Sequence, residues 1–167
     1  VPVTGGTPST LLRSSPTQQN LRTPAFSPDG QRIAFAYDEN ATSSSVGVVN
    51  VDGSGFRKLI GGGALAYASP SWFPDGATLL VSAGNAGLTQ TQVERIDVAT
   101  GNPTSITNTL GAEVLSIASR IVVSPDGQRA VFDGRVSSGV TRIFVLDLGS
   151  KVTTRQRNPA SGAVNDS

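Results

Sequence analysis

The hydrophobic residues of this chain fall in short runs between polar turns, and the arrangement occurs three times. In each unit a largely apolar run follows a turn, at residues 33–36, 79–82 and 130–133. Because neighbouring side chains of a strand point to opposite faces, a run that is apolar on both faces predicts a strand covered on both sides. No segment keeps the 3.6-residue period of an amphipathic helix, so the pattern predicts an all-β fold.

A tetrapeptide precedes each apolar run: Ser27-Pro28-Asp29-Gly30, Phe73-Pro74-Asp75-Gly76 and Ser124-Pro125-Asp126-Gly127. The three prolines follow one another at spacings of 46 and 51 residues, close to the roughly 40 to 50 residues of a propeller blade. Proline fixes the backbone at the second position of a tight turn, and glycine reaches the left-handed conformation at its end. Each tetrapeptide therefore predicts a hairpin turn in which the aspartate has a structural role.

Other segments recur around the turn, and we call the four strands of each unit a to d. Strand a precedes the tetrapeptide, at residues 24–26, 71–72 and 121–123, and strand b is the apolar run after it. Strand c ends at residues 49–51, 96–98 and 146–148. Strand d, at 57–60, 104–107 and 151–155, is more polar, as suits an outer edge where charge discourages edge-to-edge pairing. Residues 110–119 are expected to connect two units, with one helical turn at most.

These segments resemble the TolB-like, WD-type propeller repeats of bacterial envelope proteins. The resemblance is carried by PAFSPDGQRIAF, NVDGSGFRKL, PSWFPDGATLLV, IDVATGNPTSIT and VVSPDGQRAVF, and it extends from about Pro24 to Arg155. It implies a propeller of four-stranded antiparallel blades, usually six, that binds envelope proteins and lipoproteins through one face. The architecture hosts many unrelated functions, so the resemblance is more specific for fold than for activity.

The repeat predicts one partial β-propeller domain. Residues 23–60, 70–107 and 121–156 are expected to form three full blades, 1–13 the end of a preceding blade, and 157–167 a tail. A closed propeller has about four to eight blades, so both ends of this arc are expected to be open. The chain is then a piece of a six-bladed propeller, or a homodimer whose two copies close one ring, or an open arc with exposed apolar faces.

Composition removes several kinds of chemistry. The chain has no His and no Cys, which excludes a Ser-His-Asp triad, thiol catalysis and thiolate metal sites within it. Its net charge is +1, from 13 basic and 12 acidic residues, so no basic field is available for nucleic acid. No apolar run reaches the roughly 18 residues of a membrane-spanning helix. We therefore predict no enzyme activity, no cofactor and no metal site for this chain.

Candidate partner-binding residues are sought on loops at one end of the blades, because loops on a rigid scaffold carry function. The segments before each strand a share that end with the loops between strands b and c. The candidates are Arg22, Thr23, Tyr67, Ser69, Asn85, Glu113, Arg120 and Arg135. The alternative is that these residues form a solvated rim that binds no partner. Trp72 is predicted to lie in the core, and Asp38-Glu39-Asn40, which matches no calcium-loop spacing, to be a solvated loop.

Two functions remain open. The resemblance implies a non-catalytic scaffold in the periplasm or on the cell surface, with an envelope protein or lipoprotein as partner. The alternative is the accessory propeller of a prolyl-oligopeptidase-like serine peptidase, whose Gly-x-Ser-x-Gly motif would lie outside these residues. A propeller lyase or glycan-binding protein ranks last, because such sites usually need His or clustered aromatic residues, and only 5% of these residues are aromatic.

Overall fold

The structure, a computed structural model, describes residues 9–85, 91–107 and 114–155 of the chain. Within these ranges the backbone forms twelve β-strands. They are β1 Gln19–Phe26, β2 Arg32–Asn40, β3 Ser43–Asn50, β4 Arg57–Gly61, β5 Ala66–Trp72, β6 Thr78–Gly84, β7 Thr91–Asp97, β8 Pro103–Thr107, β9 Val114–Val123, β10 Arg129–Val136, β11 Thr141–Asp147 and β12 Thr153–Arg155. None of the described segments is a helix long and apolar enough to span a membrane.

The strands form three four-stranded antiparallel sheets. Strands β1 to β4 make blade 1, β5 to β8 make blade 2, and β9 to β12 make blade 3. Neighbours in each sheet are also neighbours in the chain, so strands a to d of each repeat are the first to fourth strands of a blade. The predicted all-β fold with four-stranded antiparallel blades is confirmed.

Strand a extends further toward the N-terminus than the sequence indicated. Strand β9 begins at Val114, so the expected connection at residues 110–119 was wrong from Val114 onward; residues 110–113 lie outside the described ranges. The register of β9 with β10 shifts between Val114 and Ser116. Because of this bulge, Val114 and Ile117 are both buried in the core. Buried residues of a regular strand are two positions apart, whereas these are three apart, a spacing that is typical of a helix.

The Pro-Asp-Gly turns have the predicted geometry. In the first, the Gly30 N–H donates to Ser27 O at 2.8 Å, and Gly30 has a φ of 69°. The Ser27 hydroxyl and a backbone N–H donate to Asp29, and these bonds hold the pKa of Asp29 below its ordinary value. Asp75 and Asp126 accept a backbone N–H in the same way. The predicted structural role of the three aspartates is confirmed.

Successive blades pack face to face. Strand β5 contacts β1, β2 and β3 of blade 1, and β9 contacts β5, β6 and β7 of blade 2. Within β6, Leu79 and Val81 pack toward blade 1, whereas Leu80 packs toward blade 3. All three are fully buried, which confirms for blade 2 a strand b that is covered on both faces. In blade 3 the expectation was wrong among the described residues: Val131 of strand b is 41% exposed, because no described blade packs on that face. Trp72 also lies in the core, as predicted, with 7% of its surface exposed.

Candidate partner-binding site

Strand a carries a bulge at the same repeat position in all three blades. Thr23 and Ser69 have φ angles of 49° and 51°, and the pairing of strand a with strand b shifts across both residues and across Arg120. A positive φ is a genuine outlier for a β-branched residue. The Thr23 Oγ1 atom is also buried with no hydrogen-bond partner among the described residues. The surrounding packing therefore holds this point of strand a in a strained conformation.

The prediction that the candidates lie on loops before strand a was wrong for five of them. Arg22 and Thr23 lie within β1, Tyr67 and Ser69 within β5, and Arg120 within β9. The reason is the bulge: pairing with strand b resumes on its N-terminal side. A bulge inserts one unpaired residue and breaks the alternation of buried and exposed positions that marks a strand in sequence.

Arg22 is held in a polar network in the N-terminal half of strand a in blade 1. Its guanidinium lies 2.7 Å from Asp38 Oδ1 and donates to Ser44 Oγ at 3.0 Å. Asn20 and Ser44 also donate to Asp38. Burial alone would raise the pKa of Asp38, but the bonds from Asn20, Ser44 and Arg22 hold it below its ordinary value. Arg22 therefore ties together the strands of blade 1, and little of its charge is left for a partner.

Tyr67 and Ser69 are buried where blades 1 and 2 meet. Tyr67 hydrogen-bonds Glu94, whose side chain also accepts from Gln92 Nε2 at 2.9 Å. Burial raises the pKa of Glu94, and burial together with the nearby Glu94 charge raises the pKa of Tyr67 to about 12. The Glu94 Oε2 atom has no hydrogen-bond partner among the described residues. This pair belongs to the packing between blades and not to an exposed surface.

Arg120 lies at a cleft where the three strands a come together. The cleft has a volume of about 490 Å³, and we call it the axial cleft. Its walls include the turn prolines Pro28, Pro74 and Pro125 and the exposed Arg120. The Arg120 Nη2 group donates to Pro24 O at 3.2 Å and so links blade 3 with blade 1. The axial cleft is thus a mostly apolar groove with a guanidinium in its wall.

The structure brings one of the eight candidates, Arg120, to the axial cleft. Asn85 follows the end of β6 and is exposed. Arg135 is exposed too, but it lies within β10, so its expected place on a loop between strands was wrong. Glu113 lies outside the described ranges. Sequence reasoning missed Phe26, which lines the axial cleft with 67% of its surface exposed. Its alignment with Trp72 in the repeat was the available signal.

The acidic segment Asp38-Glu39-Asn40 ends strand β2, so the expectation of a solvated loop was wrong. Asp38 pairs with Arg22, and Glu39 pairs with Lys58. The Ser45 hydroxyl also donates to Glu39. Among the described residues, no group of three or more His, Cys, Asp or Glu side chains is placed to hold a metal ion.

Three four-stranded meander sheets that pack through strand a define a β-propeller domain. The chain belongs to the family described as the lipoprotein LpqB β-propeller domain, whose model matches residues 7–165. This family and the structural matches to TolB support the resemblance that the repeats indicated. No curated protein matches the chain by sequence.

Solved structures of several propeller proteins are similar to this chain. TolB from Acinetobacter baumannii matches with a TM-score of 0.67 and 21% identity over 84% of this chain and 33% of TolB. An oligogalacturonate lyase in complex with manganese gives 0.64 and 21% over 89% and 39%. A puromycin-hydrolyzing peptidase of Mycobacterium tuberculosis gives 0.62 and 19% over 85% and 22%. The chain spans about a third of the TolB structure, and such low identities establish the fold alone.

Proposed function

We propose that this chain is a non-catalytic TolB-like propeller scaffold that binds a protein partner in the bacterial cell envelope, in the periplasm or at the cell surface. The observation that carries the proposal is the exposed Arg120 in the wall of the apolar axial cleft. Membership of a lipoprotein propeller family supports the envelope location. The partner is an envelope protein or lipoprotein, as the resemblance implies.

Binding would combine an apolar groove with a positive anchor. Pro28, Pro74 and Pro125 offer rigid apolar surface in the walls of the axial cleft. Arg120 has donors beyond the one that bonds Pro24 O, because a guanidinium carries five N–H groups. Interface energy concentrates in a few anchors, and arginine is enriched among them. A partner segment with apolar side chains and a carboxylate or carbonyl acceptor fits this arrangement.

The test compares proteins retained from an envelope extract by the immobilised wild type and by charge-reversal variants. We expect Arg120→Glu to abolish retention of a defined protein, identified by mass spectrometry. Arg142→Glu is the matched control, since Arg142 is a half-buried arginine of β11 that does not line the axial cleft. Retention that survives Arg120→Glu would overturn the proposed surface, whatever Arg22→Glu and Arg135→Glu do, because, of these three arginines, only Arg120 lines the axial cleft.

The accessory propeller of a peptidase remains the second candidate. Its support is the shared fold with the puromycin-hydrolyzing peptidase, at 19% identity, and no described residue favours it over the scaffold. The gene that encodes this chain distinguishes the two, because a downstream Gly-x-Ser-x-Gly motif followed by Asp and His would mark a hydrolase domain.

A further inference from the structure

A second cleft lies between blades 2 and 3, at the end of the blades that carries the Pro-Asp-Gly turns. It has a volume of about 360 Å³, and we call it the interblade cleft. Ligand pockets have volumes of roughly 300 to 1,000 Å³. Blade 2 contributes Phe73, Arg95 and Ile106 to the lining, and blade 3 contributes residues 127–128 and 147–149. Both walls therefore belong to described blades, and none of these residues lines the axial cleft.

The equivalent place between blades 1 and 2 is closed by a direct contact. There the turn between strands c and d of blade 2 lies on strand d of blade 1. The Arg57 Nη1 group donates to Ala99 O of that turn at 3.0 Å. Gly101 of the same turn lies so close that an added Cβ would come within 2.6 Å of Leu59 O. This close approach therefore requires an arginine on strand d and a glycine in the turn.

Both requirements fail between blades 2 and 3. Thr104 occupies in blade 2 the register position that Arg57 has in blade 1, and its short side chain carries no guanidinium to hold the next turn. Lys151 occupies in blade 3 the position of Gly101, with the same backbone bond to the aspartate four residues earlier and a φ of 62° against 79°. A lysine side chain keeps the turn away from strand d, and the interblade cleft is the space that results.

The walls of the interblade cleft carry polar atoms that no described residue uses. Arg95 donates to Thr78 and Asp75 through Nε and Nη2, which leaves its Nη1 group available. The Oδ1 atom of Asp147 accepts the bonds of its own turn, which leaves Oδ2 available. The exposed side-chain amide of Gln128 has both a donor and an acceptor. Because Arg95 and Asp147 have opposite charges, the cleft favours a neutral polar group over an ion.

The apolar part of the interblade cleft favours an aromatic ring that the ligand supplies. Phe73 offers no free ring face, because it is 4% exposed and the Arg95 guanidinium lies 4.1 Å from its ring centre. The Arg95 side chain is itself 41% exposed, and a guanidinium attracts the face of an aromatic ring. Ile106 and Leu148, both half-buried, add apolar surface. A ring with a neutral polar edge therefore matches both parts of the lining.

We propose that the interblade cleft binds a tyrosine side chain of a protein partner. The ring packs on Arg95 and Leu148, and the hydroxyl donates to Asp147 Oδ2 and accepts from the Gln128 amide. Tyrosine fits better than tryptophan, because its hydroxyl is both donor and acceptor whereas the indole N–H is a donor only. Tyrosine is also enriched at interfaces, where an apolar ring and a polar tip are both useful. This inference goes beyond the proposed function, since it concerns a separate site.

Titration of the chain with N-acetyltyrosinamide, followed by NMR, tests the proposal. We expect saturable shifts of the backbone amide signals of residues 127–128 and 147–149, which line the interblade cleft. N-acetylphenylalaninamide lacks the hydroxyl and should bind at least about tenfold more weakly, because it leaves the bond to a charged carboxylate unmade. This comparison uses the wild-type chain alone, so it does not depend on the folding of a variant.

Two substitutions with matched controls locate the binding site. Gln128→Ala and Asp147→Asn should each weaken binding of N-acetyltyrosinamide, and the asparagine keeps the Oδ1 acceptor that its turn uses. Gln31→Ala and Asp97→Asn change the equivalent residues of blades 1 and 2, which do not line the interblade cleft, and should leave binding unchanged.

Three results would overturn the proposal. They are no shift up to the solubility limit of N-acetyltyrosinamide, equal affinity for the tyrosine and phenylalanine probes, and tighter binding of a methyl glycoside, which would mark a sugar site instead. Arg120→Glu should leave this titration unchanged, because Arg120 lines the axial cleft and not the interblade cleft. Failure of the tyrosine site and failure of the scaffold proposal therefore give different results.

Discussion

The inner face of blade 1 and the outward face of blade 3 are built on the same framework and lie in opposite environments. Ala34 and Val131 occupy the same position of strand b and pair with equivalent neighbours. Ala34 is 0% exposed, whereas Val131 is 41% exposed. The strand pairing is the same, so the difference comes from what lies above the sheet. In this fold the neighbouring blade, and not the residue's own sheet, decides whether a side chain is buried in the core.

The two faces also differ in their side chains. Blade 1 has Ala36 where blade 3 has Asp133, whose carboxylate accepts the Arg120 backbone N–H at 3.0 Å. Ala36 is fully buried beneath blade 2, where a carboxylate would need a compensating partner. The corresponding face of blade 3 therefore carries the exposed valines Val122 and Val131 together with the carboxylate of Asp133.

The largest expected effect separates two aromatic residues at equivalent ends of strand a. Trp72→Ala should lower the free energy of unfolding by about 3–5 kcal/mol, because it empties a filled core site. Phe26→Ala, at the equivalent exposed position, should cost within about 0.5 kcal/mol in the monomer. Urea unfolding at a concentration where the chain is monomeric measures both. Equal losses of unfolding free energy in the two variants would contradict the description of Trp72 as buried and Phe26 as exposed.

A smaller effect separates two turn glycines. Gly30 and Gly127 have φ angles of 69° and 71°, so alanine at either position costs about 1–2 kcal/mol for the left-handed conformation. At Gly127 the added methyl also meets Pro74, and overpacking costs about 1–3 kcal/mol more. Gly127→Ala should therefore be less stable than Gly30→Ala in thermal unfolding. The reverse order would mean that the turn-to-proline contact between blades 2 and 3 is loose.

The blade architecture was predictable because its signals are local. Each Pro-Asp-Gly turn and each apolar strand b can be recognised within about ten residues, and the repeat adds three independent copies of the pattern. The bulges in strand a were not predictable in the same way. The bulges depend on how strand a packs against a neighbouring blade. Two of the bulged residues with a positive φ are Thr23 and Ser69, and since neither is a glycine, the sequence does not mark the unusual conformation.

The candidate site shows the same limit. Tyr67 was expected at the surface and is buried, because its ring enters the packing between blades 1 and 2. Phe26 reads as a core residue of strand a and is exposed, because no described residue of another blade covers it. Both cases depend on contacts between blades, about which the pattern within a single strand carries no information. Arg120 could be chosen as a candidate because a charged residue beside strand a is conspicuous in the local sequence, and it lines the axial cleft; its role in binding stays a prediction.

The last and smallest effect concerns the buried carboxylate between blades 1 and 2. Burial raises the pKa of Glu94 above its ordinary value of 4.5. The Glu94 carboxyl group therefore binds its proton more tightly in the folded state than in the unfolded state. The free energy of unfolding should then fall as pH rises from about 4.5 through the raised pKa, and level off above it. Glu94→Gln removes the charge and should abolish this fall, which leaves the variant more stable than the wild type at neutral pH.

Glu39→Gln is the control for this titration, because the opposite sign applies there. The bond from Lys58 holds the pKa of Glu39 below its ordinary value, so the stability that Glu39 contributes is present above about pH 4.5 and is lost only as pH falls through the lowered pKa. Glu39→Gln should lower stability without changing its pH dependence between about pH 5 and 8. Denaturant unfolding at several pH values measures both variants, and a Glu94→Gln profile parallel to the wild type would mean that water reaches this carboxylate between the blades.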